Sequence, residues 1–431
     1  MKLLRKLLCT LVLIPGFQSF AQQFYSEDID RFWKTYDLIR TEKDSIRQYQ
    51  ILKDNYISPA SAGLTDLIAA RNYSDAEFLT AINSYPEFWS SIRKNTLNSQ
   101  KYVPQIKADF AKLKSLYPKL SVVPVYFCIG ALRCNGTGNN GKILIGSEMA
   151  LADDSANYNQ LPEWMHAYYA KMHPLDNLSL LCTHEYIHTQ QKPLLENLLC
   201  ASLYEGIAEF ISCLATGKES NIPAFSIWEK QKPEILTKYK EDLFLTDRLY
   251  DWMWGNNSNA LKERDLGYVV GFKIAEAYYR KASDKKRAIT ELIELDYTND
   301  AAVETVVDYS GLLGKSIGQL HSEYESRRPT VISVAPFGTD KTVKPGHITI
   351  TLKFSQPLNG YNTGLDFGPL GEEHVIKFSK AIGWNNDFTE WSFEAELQPD
   401  FRYQLLVSNN FRLANGVRLK PFLIDIATSA R

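Results

Sequence analysis

Past its first residues the 431-residue chain has no stretch approaching the ~20 apolar residues of a membrane-spanning helix, so no transmembrane anchor is expected. Low-complexity tracts are missing too. With 45% hydrophobic and 23% charged residues the composition is that of ordinary globular protein, long enough for two or three domains. There is no basic excess: 48 Lys+Arg stand against 50 Asp+Glu, a formal net charge of −2. That balance argues against nucleic acid or an anionic membrane as main partner. Cysteine is sparse, six in all, and Cys9 lies in the apolar N-terminal stretch. The other five, Cys128, Cys134, Cys182, Cys200 and Cys213, are an odd set, which requires a free thiol or an intermolecular bridge in an exported protein. Cys128 and Cys134 are either a pair across a short segment or buried small hydrophobes.

Lys2, Arg5 and Lys6 precede the apolar run Leu7 to Ile14, and Ser19-Phe20-Ala21 follows. This order reads as a secretory signal peptide over residues 1–21, cut after Ala21, so the expected location is exported, periplasmic or extracellular. Cys9 lacks a small residue before it and reads as signal-peptide filler rather than a lipid anchor. Removing the segment takes three basic residues, 48 − 3 = 45 against 50, a formal charge of −5.

Against this background one run stands out: His184-Glu185-Tyr186-Ile187-His188, followed by Glu205-Gly206-Ile207-Ala208-Glu209. On a helix, residues four apart share a face one turn apart, so both imidazoles can reach one ion. Glu185 is then placed to take a proton from a water on that ion. Hydrolysis by zinc needs three protein ligands and an open position. The segment between His188 and Glu205, with Pro193, is long enough to turn and begin an antiparallel helix near Leu194, bringing Glu205 back as third ligand. Glu209, one turn further, would accept the spare N–H of a ligand histidine. Asp176 or Ser179 is expected to cap the first helix.

HExxH with an EGxAE-type helix resembles the gluzincin metallopeptidases, the group that includes thermolysin and the aminopeptidase N relatives, and most of all the predicted zinc-dependent proteases of bacterial envelopes. The resemblance implies one Zn2+ per chain held by His184, His188 and Glu205, Glu185 as general base and acid, Glu209 supporting a ligand, and a peptide or protein substrate. Gln190 departs from the pattern, which usually has an apolar residue there. Similar enzymes aim a tyrosine from a later helix at the developing oxyanion, and Tyr268 in Leu266 to Lys281 matches best, with His321 a weaker alternative. They also hold the substrate on an edge strand; Ile143, Leu144 and Ile145 of Lys142 to Gly146 are the candidate.

The expected fold is α+β: a mostly helical, zincin-like catalytic unit with a small β-sheet, then an all-β sandwich. Residues 22–120 have apolar residues at helical spacing, as in Ile29-Phe32-Trp33-Tyr36, and form the front of the catalytic unit, with breaks and caps at Pro59-Ala60-Ser61 and Asn72-Tyr73-Ser74-Asp75. Residues 121–328 are its core, with strands at Val122 to Ile129 and Lys142 to Ser147. The GxGxxG run Gly136 to Gly141 between them reads as a turn, because a phosphate loop would open onto a helix. From Pro329 the pattern alternates: Ile348, Ile350, Leu352 and Phe354 share a face, as do Trp391, Phe393, Ala395 and Leu397. Residues 329–431 resemble bacterial Ig-like domains of secreted proteins, which implies surface or protein contact and no chemistry of their own. The alternative reading is a catalytically inactive envelope binding or assembly protein on the same scaffold.

Overall fold

The computed structural model describes residues 22–255, 261–337 and 342–430; the expected signal peptide lies outside them. The fold is α+β. Two compact units are distinguished, one of Met1–Gln191 with Ile211–Asn221, the other of Lys192–Phe210 with Ile222–Arg431.

The first unit opens with β1 (Phe24–Tyr25) and a run of helices: α1 (Glu27–Thr41), α2 (Ser45–Leu52), α3 (Ala62–Arg71), α4 (Asp75–Ser84), α5 (Pro86–Leu97) and α6 (Val103–Leu116). Local sequence sets their ends. Asp44 accepts Ile46 N–H at the start of α2 (2.8 Å), Ser61 caps α3, and Ser74 with Glu77 forms a capping box on α4. Asn72 closes α3 in the left-handed conformation, φ 46°. The helices bury a cluster of aromatic rings from Phe32, Trp33, Tyr56, Phe88 and Trp89.

A small sheet follows, of β2 (Val125–Cys128), β3 (Gly136–Asn139) and β4 (Lys142–Gly146), in the order β1-β2-β4-β3. Two expectations are corrected here. The segment Gly136 to Gly141 is not simply a turn: its first four residues are strand β3, antiparallel to β4, and Asn140 and Gly141 make the turn with φ of 47° and 66°. Further, Ile143, Leu144 and Ile145 do not lie on an edge strand. Their strand pairs with β2 on one side and β3 on the other, and all three side chains are fully buried. An unbroken apolar run is the pattern of a central strand covered on both faces, and glycines carry no strand signal, so the edge was assigned to the wrong segment.

The unit continues with α7 (Ser147–Ala150), α8 (Glu163–Met172) and α9 (Leu178–His188). Neither Asp176 nor Ser179 caps α9. Asn177 occupies the cap position without a side-chain cap bond, and Ser179 donates from inside the helix to Asp109 (2.6 Å).

Helix α10 (Leu198–Thr216) starts four residues later than expected, where Asn197 accepts Cys200 N–H at 2.9 Å. After it come α11 (Ala224–Asp242), kinked at Gln231 ahead of Pro233, α12 (Leu249–Met253), α13 (Leu266–Lys281), α14 (Lys285–Ile293), α15 (Asp300–Ser310) and α16 (Ile317–Arg327). In the second unit α10 and α13 cross at contact distance. Ser202 and Gly206 face Gly267 and Gly271, and a Cβ on Gly206 or Gly271 would overlap the other helix's backbone.

The C-terminal strands are β5 (Val331–Ala335), β6 (Thr342–Val343), β7 (Gly346–Phe354), β8 (Leu365–Asp366), β9 (Phe378–Trp384), β10 (Glu390–Leu397), β11 (Arg402–Val407) and β12 (Phe422–Thr428). They form two four-stranded sheets, β5-β7-β10-β9 and β6-β12-β11-β8. Alternate residues of both sheets, among them Ile350, Leu352, Phe393, Leu405 and Ile424, meet in one apolar core.

No disulfide joins the described cysteines, and Cys128, Cys134, Cys182 and Cys200 are buried. Cys128 and Cys134 therefore follow the small-hydrophobe reading.

Candidate metal centre

Helix α9 is held by the residues that face away from its two histidines. Tyr186 packs its ring on Phe110 of α6, centroids 4.6 Å apart, and its hydroxyl donates to the Ser121 carbonyl at 3.1 Å. Gln190 accepts Ser121 N–H at 2.8 Å and so ties the end of the helix to the same segment.

On the opposite side the Nε2 atoms of His184 and His188 lie 2.9 Å apart. Nδ1 of His188 is 2.7 Å from Gln191 Oε1. A carbonyl oxygen only accepts, so Nδ1 carries a proton, and Nε2, toward His184, is the nitrogen left to offer a lone pair. One ligand atom each from His184, His188 and Glu205 lies within 4.8 Å of the others. Two imidazole nitrogens and a carboxylate oxygen are the donor set of a catalytic zinc, which keeps a fourth position for water. The residues present fit that ion in kind and number. His184 and Glu185 are buried, 8% and 6% exposed, as a desolvated site requires.

The edge strand β3 lies on this helix because it is made of glycine where the two meet. A Cβ on Gly136 would stand 3.0 Å from Cγ and Oε1 of Glu185, and one on Gly138 would stand 2.9 Å from the Glu185 carbonyl oxygen and 3.1 Å from His188 Cβ. The edge that lies on α9 is therefore not Ile143 to Ile145 but that of Gly136 and Gly138. Their signal was in the sequence, as the glycines of the GxGxxG run, since glycine also marks close approach of another backbone.

Arg71, the last residue of α3, donates Nη2–H to the Gly136 carbonyl at 3.2 Å. Cys134 donates to the same oxygen at 3.1 Å. Burial pushes the Cys134 thiol up to about 12, against the pull of Arg71, so it is uncharged at neutral pH. The loop between β2 and β3 is set by Glu148, whose carboxylate accepts Gly130 N–H (2.9 Å) and Leu132 N–H (3.2 Å), with Leu132 at φ 64°. Full burial raises Glu148 to about 7, although those backbone donors oppose it. No spacing rule in the sequence pointed to Arg71 or Glu148.

Glu205 and Glu209 sit one turn apart on α10, Glu209 buried at 4%. Tyr268 is on the first turn of α13, whose Gly271 and Phe272 backbones meet Gly206 beside Glu205. Ahead of it Asp265 is raised to about 6, mainly by burial, with the Glu205 charge adding to the rise and Arg264 opposing it. His321 lies on α16 against Phe244, centroids 5.2 Å apart.

No protein-family model and no curated protein matches the chain. Among solved structures it is similar to the S-layer protein rSbsC(31-844), at 12% identity and TM-score 0.18, covering 76% of this chain and 46% of that one. Domains 1–6 of the surface layer protein SbsC give 11%, 0.18, 76% and 45%. The chain thus spans under half the length of the structures it matches, and at such TM-scores the likeness supports no conclusion about fold or function.

Proposed function

We propose that this chain is an exported zinc metallopeptidase, with a zincin-like catalytic unit followed by an Ig-like sandwich that makes surface or protein contacts. The observation that carries the reading is the convergence of His184, His188 and Glu205 beside the buried Glu185. A structural helix has no need of two facing imidazoles, one with its tautomer fixed by Gln191, next to a carboxylate from another helix. When bound, zinc supplies Lewis acidity to a peptide carbonyl and a lowered pKa to water.

The chain's residues do the rest. Glu185 takes the proton of the attacking water and passes it to the leaving amine. Gly138 on the edge strand pairs with the substrate backbone. Tyr268 donates a hydrogen bond to the developing oxyanion. Glu209 orients a ligand histidine from behind. Residues 1–21 direct export, to periplasm or medium.

The test is zinc content per mole of mature protein, in the parent and in Glu205→Ala, together with peptide hydrolysis. One zinc in the parent, greatly weakened in Glu205→Ala, and hydrolysis abolished by chelator and restored by zinc, are the expected results. Glu185→Gln should keep the zinc and lose about 10²–10⁴-fold in rate, whereas His188→Ala should lose both. Zinc bound without hydrolysis of any peptide would instead favour the catalytically inactive binding protein.

A further inference from the structure

Among the described residues the free edge of β3 is closed at one residue and open two residues later. Asn135 accepts Gly146 N–H at 3.0 Å, and the register pairs Gly136 with Ile145 and Gly138 with Ile143. Antiparallel ladders alternate, so the N–H and C=O of Gly136 and Gly138 point away from β4 to the free edge. At Gly136 both are taken within the chain: its N–H donates to Asn135 Oδ1 (2.9 Å), and its carbonyl accepts Arg71 and Cys134. An extended substrate can therefore pair at Gly138, over His188, and meets Arg71 where the pairing stops.

Direction follows from two independent points. Antiparallel pairing is the stronger mode per residue, and a partner antiparallel to β3 runs its own N-to-C direction toward Gly136. Glu185, which delivers a proton to the leaving amine, also lies against Gly136, so the leaving-group side of the substrate is at that end. From Gly138 to Gly136 the strand rises about 7 Å, two residues. At that point stands a guanidinium whose Nε–H is buried without a hydrogen-bond partner among the described residues. Its neighbour Cys134 is uncharged, and the carboxylate whose field it feels is Glu185. A guanidinium held at the free edge of β3, with Nη2 on the Gly136 carbonyl and a buried Nε–H left over, matches a carboxylate.

We propose that Arg71 is a specificity-determining residue that receives a substrate carboxylate within about two residues on the C-terminal side of the cleaved bond. This rests on the metallopeptidase reading for its direction. The carboxylate is either the substrate's own C-terminus or an Asp or Glu side chain, and the two sources differ in what abolishes recognition.

The experiment measures peptide binding by fluorescence anisotropy to the full mature, zinc-loaded chain carrying Glu185→Gln. Matched short peptides are used, as free acid and as amide, and as amides differing only by Glu against Gln near the C-terminus. The free acid is expected to bind about tenfold or more tightly than its amide, the worth of one charge-assisted hydrogen bond. If the source is a side chain, the same factor separates Glu from Gln and amidation changes nothing. Arg71→Gln should erase the discrimination and Arg71→Lys keep part of it, with melting temperatures showing that both variants are folded. Equal binding within both pairs, no peptide binding at all, or discrimination that survives Arg71→Gln overturns the proposal. Hydrolysis by the parent, run in parallel, separates the two readings: discrimination without any cleavage removes the peptidase and leaves the carboxylate site standing.

Discussion

Gly206 and Gly271 lie backbone to backbone: a Cβ on Gly206 would overlap the Gly271 main chain and the Phe272 nitrogen, and one on Gly271 would overlap the Ser202 carbonyl. Glu205 is the residue before Gly206, so the α10–α13 crossing sets where the proposed third ligand stands. Gly206→Ala and Gly271→Ala should each destabilise by about 1–3 kcal/mol, the usual effect of overpacking, and both should weaken zinc binding. Melting temperature and zinc affinity check this; a Gly206→Ala protein unchanged in both would mean that the crossing is slack.

Gly138→Ala puts a methyl 2.9 Å from the Glu185 carbonyl oxygen and 3.1 Å from His188 Cβ. Backbone is on one side and the side chain of a proposed ligand on the other, so the edge strand must lift. Peptide hydrolysis should fall by about tenfold or more, since a displacement of ~1 Å at a positioned site is costly. Melting should change little, because β3 is an edge strand. A variant with full activity would show that the strand does not hold substrate.

Gln191→Leu removes the acceptor that fixes the His188 tautomer. Outer partners of this kind are worth about 10–100-fold in metal affinity. Competition with a chromophoric chelator should show zinc held that much more weakly, with the fold intact by circular dichroism. An unchanged affinity would mean that the tautomer is set elsewhere.

Glu148 gives a pH signature. Its folded value near 7 stands above the ordinary 4.5, so the folded state holds the proton more tightly than the unfolded chain. The stability this contributes is complete below pH 4.5 and is lost as pH rises through 7, amounting to about 3 kcal/mol. In Glu148→Gln that slope disappears, while one of the two backbone donors loses its acceptor. Urea unfolding of both proteins from pH 4.5 to 8 is the measurement, and parallel curves would show that Glu148 does not titrate in this window.

The metal-ligand candidates were legible because their chemistry is local: two histidines and a glutamate within five residues, and a second acidic pair at helical spacing. The paired faces of the C-terminal strands were legible for a similar reason, alternation over β7 and β10. The edge strand was not. Ile143-Leu144-Ile145 has the stronger strand propensity, and that propensity marks a strand buried on both faces, whereas Gly136 and Gly138 have none and are present because α9 comes too close for any side chain. Arg71 and Glu148 were hidden for another reason. Each acts on a residue distant in sequence or on a loop backbone, and such partners appear only when α3 and α7 are placed against the sheet. The start of α10 was missed by four residues because the cap is Asn197, past the Pro193 that suggested an earlier turn.

The thiols bear on how the protein can be made. With Cys128, Cys134, Cys182 and Cys200 buried and unpaired, and Cys213 partly exposed on α10, no described element depends on a covalent cross-link. The slow shuffling step of disulfide-rich exported proteins is absent among the described residues. The same fold should form in a reducing bacterial cytosol as in an oxidising envelope.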